Sequence, residues 1–168
     1  VIPENTEILN GSLDSLKRWS FQCYDSNGNM LTKEEDRDGD TTVDHRDTYT
    51  YDSNGNQIEL VGQYWNGNTW VNDRRYTYTY DENNNLIEYL SQDWQDTIWV
   101  NSSKYTHTYD INDLLIESIF QIWQDTVWVN SSKKTYTYDT NNNCTTPPDS
   151  FAYNSSTLQA AYMFITAT

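Results

Sequence analysis

The sequence predicts an all-β fold, an antiparallel up-and-down meander of about ten strands built from hairpin repeats. Three observations predict it. The pair Tyr-Asp recurs at Tyr51-Asp52, Tyr80-Asp81, Tyr109-Asp110 and Tyr138-Asp139, each 29 residues after the last, with an earlier copy at Tyr24-Asp25, 27 residues ahead of the first. Inside each unit the residues alternate with period two, as in Tyr76-Thr77-Tyr78-Thr79-Tyr80, the pattern of an extended strand. Between strands lie Asn-rich clusters such as Asp52-Ser53-Asn54-Gly55-Asn56, with the turn chemistry that joins antiparallel neighbours.

The elements follow in order. Residues 1–12 lie outside the repeat and read as an N-terminal arm. Residues 13–153 form the repeat domain, about four and a half units long. Each unit reads Trp-Val-Asn-x-x-(Arg/Lys)-x-Thr-(Tyr/His)-Thr-Tyr-Asp, then an Asn-rich turn, then (Ile/Leu)-Glu-x-x-x-Gln-x-Trp. In the turns Asp81–Asn85 and Asp139–Asn143, Asn stands where positive φ is needed. A second turn lies at Asn66-Gly67-Asn68 and at Gln95-Asp96-Thr97. Pairing across the turns sets Tyr80 opposite Leu86, Tyr78 opposite Glu88 and Tyr76 opposite Leu90. One face then carries an aromatic ladder: Tyr51, Tyr80, Tyr109 and Tyr138 with Trp65, Trp70, Trp94, Trp99, Trp123 and Trp128, beside recurring Asn, Glu and Gln. That face is expected to be buried and the Thr/Lys/Arg face solvated, because aromatic pairs add about 0.5–1.5 kcal/mol beyond area burial. Residues 154–168 form a C-terminal strand whose stretch 157–167 is apolar on both sides. Such a strand is either the domain's own core strand or one donated to a neighbouring subunit, and head-to-tail donation makes a filament.

Composition excludes several functions. The 168 residues carry 10 Lys+Arg against 25 Asp+Glu, a net charge of −15, which argues against nucleic acid and anionic membrane surfaces as partners. With 14 Tyr and 7 Trp the chain is too aromatic for an acidic disordered segment. No run reaches the roughly 18 apolar residues of a membrane helix, so no membrane span is expected. The start, Val1-Ile2-Pro3-Glu4, reads as a mature form after removal of a signal peptide.

The Tyr-Thr-Tyr-Asp-x-Asn-Gly-Asn unit resembles the YD/RHS-related β-repeats, in the Trp-Val-Asn…Tyr-Thr-Tyr-Asp variety common in secreted proteins of Bacteroidota. The likeness covers about residues 20–143. It implies a scaffold at an extracellular or cell-surface location. In large RHS toxins such repeats wrap into shells around a cargo; four units are too few to enclose one. In a secreted chain, Cys23 and Cys144 favour a disulfide. Within one chain it would close the sheet into a barrel or roll; between chains it would staple subunits; two buried thiols are the third reading. Asp-(Ser/Thr)-(Ala/Ile/Leu/Val/Met/Thr) triplets resemble the O-glycosylation sequon of Bacteroidota and mark Ser15, Thr41, Thr97 and Thr126 for covalent glycans.

One acidic loop stands apart. Asp36, Asp38, Asp40 and Asp44 surround Gly39 with the spacing of the shorter calcium loops, since calcium takes six to eight oxygens and glycine permits the tight turn. The alternative is an acidic hairpin turn. Catalysis lacks support: His45 and His107 fall in strands with no nucleophile grouping, phosphate-cradling loop or zinc spacing, so no enzyme is expected. Two functions follow. The first is a glycosylated extracellular structural subunit that assembles with itself into a surface filament through terminal strands. The second is a carbohydrate-binding or adhesin module that stacks sugars on sheet-face Trp and Tyr.

Overall fold

The computed structural model describes residues 19–145 in full and 149–152 by their backbone. The strands are β1 (Trp19–Tyr24), β2 (Met30–Asp36), β3 (His45–Tyr51), β4 (Gln57–Trp65), β5 (Trp70–Tyr80), β6 (Leu86–Gln95), β7 (Ile98–Tyr109), β8 (Leu115–Gln124), β9 (Val127–Thr135) and β10 (Asp149–Ala152). They form one sheet in the order of the chain, with antiparallel neighbours and no helix among the described residues. The meander is as expected. Among the described residues β1 and β10 end the order and are not paired with each other, so the described sheet is not closed into a barrel. Cys23, on β1, and Cys144, past β9, are both free thiols. The expected N-terminal arm and the strand 154–168 lie outside the described residues, as does Ser15. Contacts divide the described chain into two compact units, one running to Thr77 and including Gln92–Val100, the other Tyr78–Ser91 and the residues from Asn101 on.

The Tyr-Asp pair divides two tasks. Each Asp closes its own turn: Asp52 Oδ1 accepts the backbone N–H groups of Asn54 and Asn56 at 2.8 and 2.9 Å, and its Oδ2 accepts the Asn56 side-chain amide at 3.0 Å. Asp25, Asp81 and Asp139 repeat the arrangement. The fourth turn residue is left-handed in every copy: Gly28, Gly55, Asn84, Asp113 and Asn142 have φ between 61° and 89°. Only Gly, Asn and Asp adopt that region cheaply, which explains the turn composition. Three of the tyrosines instead fasten to the preceding strand. Tyr51 Oη donates to the Met30 carbonyl at 2.9 Å, Tyr109 to Leu86 at 3.0 Å and Tyr138 to Leu115 at 2.8 Å.

Two β-bulges per unit change the expected faces. Near the Tyr-Asp turn the register shifts, so Glu59 stands opposite Thr50 and Glu117 opposite Thr108, where strict alternation would put Tyr49 and His107. At the far end Asp73 is the extra residue between the rungs Gly62–Arg74 and Gln63–Asn72, and Ser131 between Phe120–Ser132 and Gln121–Asn130. An extra residue reverses which side the following residues occupy. The indoles therefore share a face with Arg75, Thr77 and Glu59, while Tyr76 and Tyr78 turn to the other side. The expected single buried aromatic face is corrected twice. Its tryptophans and tyrosines lie on opposite faces, and neither face is buried. No apolar side chain is buried among the described residues; Asp36, His45, Asp47 and Ser118 are the buried ones.

Burial, helped by the Asp81 carboxylate of the preceding turn, raises the pKa of the Tyr109 hydroxyl and keeps it a donor. Replacing Tyr109 with Phe removes that hydrogen bond and retains the ring. It is expected to lower stability by about 1 kcal/mol in urea unfolding.

Candidate functional site

The first candidate is the indole face. Hairpin rungs place Trp65 against Trp70 at 5.6 Å between ring centroids, Trp94 against Trp99 at 4.9 Å and Trp123 against Trp128 at 4.9 Å, each pair tilted or edge-on. A cation lies over the second indole of each pair: Arg46 over Trp70 at 4.3 Å, Arg75 over Trp99 at 5.0 Å and Lys104 over Trp128 at 4.9 Å. These cations are 29 residues apart, as the indoles are. Each is also met by acid or amide groups. Arg46 donates to Glu34 at 2.8 Å and Arg75 to Gln92 at 2.8 Å, and Lys104 Nζ is 3.8 Å from Glu88. Beside the indoles, Gln63 donates to Asn72 at 2.9 Å and Gln121 to Asn130 at 2.7 Å. Each cation–indole contact contributes about 0.5–1 kcal/mol at such half-exposed sites. The cations were placed on the wrong face from sequence, although their recurrence at the repeat period was visible.

The second candidate is the acidic loop between β2 and β3. The carboxylate oxygens of Asp36, Asp38 and Asp40 lie within 4.8 Å of one another. Asp36, 1% exposed, accepts the N–H groups of Gly39 and Thr41. Those two residues have φ of 84° and 78°, which folds the loop around that carboxylate. Hydrogen bonds from the Thr42 hydroxyl and N–H hold the Asp40 carboxyl below its usual pKa. Asp44 is not brought into the group: its Oδ2 accepts the N–H of Arg37 at 3.0 Å and of Asp38 at 3.2 Å, and so ties the loop's entry. The three grouped carboxylates are hard oxygen donors of the kind calcium takes.

Beneath this loop sits a buried polar group that sequence reading missed. His45, 2% exposed, meets Asp47 at 3.1 Å, and the Arg74 guanidinium is 3.9 Å from the same Asp47 oxygen. Gly62 is the rung between Asp47 and Arg74; a Cβ there would meet both side chains at 3.1 Å. Glycine thus lets the ion pair close across the strand. Its isolation inside a strand pattern was the available signal. His107 stacks on Tyr105, with centroids 6.2 Å apart and planes at 12°, and its buried Nδ1 has no hydrogen-bond partner. Thr97 and Thr126 are exposed at two-residue turns whose first residues, Asp96 and Asp125, have φ of 55° and 56°. Thr41 is exposed in the acidic loop. Cys23 is half-buried on β1 and Cys144 is exposed.

The stretch that holds the Tyr24-Asp25 and Tyr51-Asp52 turns matches a known family. Residues 24–69 match the RHS Repeat family model. That agrees with the likeness read from the sequence, and units of the same sequence pattern follow at 29-residue spacing. No curated protein matches the chain. Among solved structures, a protein of unknown function from Bacteroides fragilis is similar, at 18% identity and a TM-score of 0.54, over 74% of this chain and 96% of that one. Two DUF3836 family proteins also match. The one from Bacteroides vulgatus has 17% identity and a TM-score of 0.35, covering 64% of this chain and 98% of its own. The one from Parabacteroides distasonis has 19% identity and a TM-score of 0.32, covering 69% and 98%. The first likeness supports the fold. No helix among the described residues is long and apolar enough to cross a membrane.

His107 takes the place of a repeat tyrosine, and burial lowers its pKa below the ordinary 6.5. The unfolded chain therefore binds the proton first. Stability is full above pH 6.5 and falls as pH drops toward the folded-state pKa. His107→Tyr is expected to raise the melting temperature at pH 5 more than at pH 8, as thermal unfolding at the two values will show.

Proposed function

We propose that this protein is a non-enzymatic, extracellular structural subunit whose RHS-type hairpins form a scaffold, and that copies assemble into a surface filament through terminal strands. The observation that carries the reading is the order of the described strands, which runs from β1 to β10 with no pairing between the two. An end strand is a template for a strand from another copy, and repeated addition of this kind propagates without closing. Covalent glycans at the exposed turn residues Thr97 and Thr126 would project away from the strand ladder. The carbohydrate-binding alternative is weaker, because three of the indoles already have a cation over the ring. Electron microscopy of the purified full chain is expected to show regular filaments. Monodisperse particles that bind a glycan array would favour the alternative and end this reading.

Calcium in the loop of Asp36, Asp38 and Asp40 belongs to the same proposal, as a fastener of the β2–β3 connection. Its support is the convergence of three carboxylates, one of them buried, around a glycine turn. Calcium at about a hundred times its Kd should add about 2.7 kcal/mol of stability, removed by chelator and diminished in Asp38→Asn. Superimposable melting curves with and without calcium would argue against the metal.

A further inference from the structure

The two cysteines stand at matching places of the repeat, one toward each end of the array. The three tyrosine latches follow one count. Tyr51, Tyr109 and Tyr138 donate to Met30, Leu86 and Leu115, and each acceptor is the fifth residue after the Asp of the preceding turn. Such residues begin the strand after the turn: Met30 pairs with Tyr24 and Leu115 with Tyr109. The fifth residue after Asp139 is Cys144, which bridges Tyr138 in the same way. At the other end Tyr24 opens the array. It is 52% exposed, and its hydroxyl donates to Gln22 of its own strand.

The residue ahead of each latching tyrosine has a set place as well. Thr32 pairs with Thr48 between β2 and β3, and Glu117 with Thr135 between β8 and β9. Past the second rung the Tyr136 N–H donates to the Ile116 carbonyl at 3.0 Å. Continuing the register sets Thr50 opposite Met30 and Thr137 opposite Leu115. Because Tyr136–Ile116 is a hydrogen-bonded rung, the next is of the other kind, with Cα atoms about 4.5 Å apart. On β1 the residue in that place, just ahead of Tyr24, is Cys23.

We propose that β1 of one copy continues the sheet beyond β10 of a second copy in the register of the internal junctions, so that Cys23 faces the second copy's Cys144 and the two thiols oxidise to an intermolecular disulfide. The inference rests on the assembly reading above and names its joint. A separation of about 4.5 Å lies within the roughly 4.4–6.8 Å that a disulfide spans. Within one chain β1 and β10 stand at opposite ends of the described strand order and are not paired, so the partner is another copy. The joint is also uncharged. Neither Trp19–Tyr24 nor residues 140–148 contain Asp, Glu, Lys or Arg, in a chain of net charge −15, so acidic copies meet where repulsion is least. Tyr24 then latches onto the Cys144 carbonyl as Tyr138 does onto that of Leu115. The oxidant is a disulfide of the surroundings, such as oxidised glutathione. The thiolate of the exposed Cys144 attacks it and releases one glutathione thiol. The Cys23 thiolate then attacks the mixed disulfide at the Cys144 sulfur and releases the second. Two protein thiols thus lose two electrons and two protons, which leave on the two glutathione thiols.

The test adds oxidised glutathione to the full chain, separates the products by non-reducing electrophoresis and maps the links by peptide mass spectrometry. A ladder of dimers, trimers and higher species joined Cys23 to Cys144 is expected. Cys23→Ser and Cys144→Ser should each stay unlinked alone and, when mixed, give a dimer that grows no further. Tyr24→Phe, at an exposed position, should slow growth of the ladder several-fold. Links of Cys23 to Cys23 or of Cys144 to Cys144 as the main product overturn the proposal, as do a bond within one chain and the absence of any link. Electron microscopy of the same samples separates this joint from the assembly reading. Filaments without the Cys23–Cys144 link refute the joint alone, whereas the absence of both refutes both.

Discussion

Cohesion between successive strands is the constraint under which the rest of this sheet operates. A β-sheet is ordinarily held by packing one face against another layer, and the area buried there offsets the entropy of ordering the chain. Here the described residues bury no apolar side chain. What remains is lateral: backbone ladders, tyrosine hydroxyls that reach back to the preceding strand, and cations lying over indoles. Each contact contributes on the order of 1 kcal/mol, so repetition does what a single strong contact cannot.

The repeat is shaped by that arrangement. Trp70, Trp99 and Trp128 recur because each receives a cation from an earlier strand, and the Tyr-Asp pair recurs because one residue latches backwards while the other folds the next turn. The bulges belong to the same design. Without the extra residues Asp73 and Ser131, indoles and tyrosines would share one face and the cations would stand on the other.

Much of the fold was legible in the sequence. Period-two alternation, turn composition and a fixed interval gave strand number, strand direction and order, because each depends on local backbone preference. Facing was not legible beyond the bulges. A bulge adds one residue without a compositional mark, and Asp73 and Ser131 look like ordinary exposed positions. Closure was not legible because it depends on accumulated twist rather than on any one residue. Of the candidate sites, the grouping of Asp36, Asp38 and Asp40 followed from spacing around Gly39, whereas the diversion of Asp44 to the N–H groups of Arg37 and Asp38 is a matter of loop geometry. The ion pair over Gly62 joins residues from three strands and had no local signature beyond the glycine.

The backward-reaching tyrosine has a consequence for ancestry. Because every latch binds only the adjoining strand, a 29-residue module copied or lost in the gene brings both halves of its own attachment with it. No distant packing centre must be rebuilt around the insertion. Unequal recombination can therefore lengthen or shorten such a protein in whole modules, and lineages are free to differ in size while each member still folds.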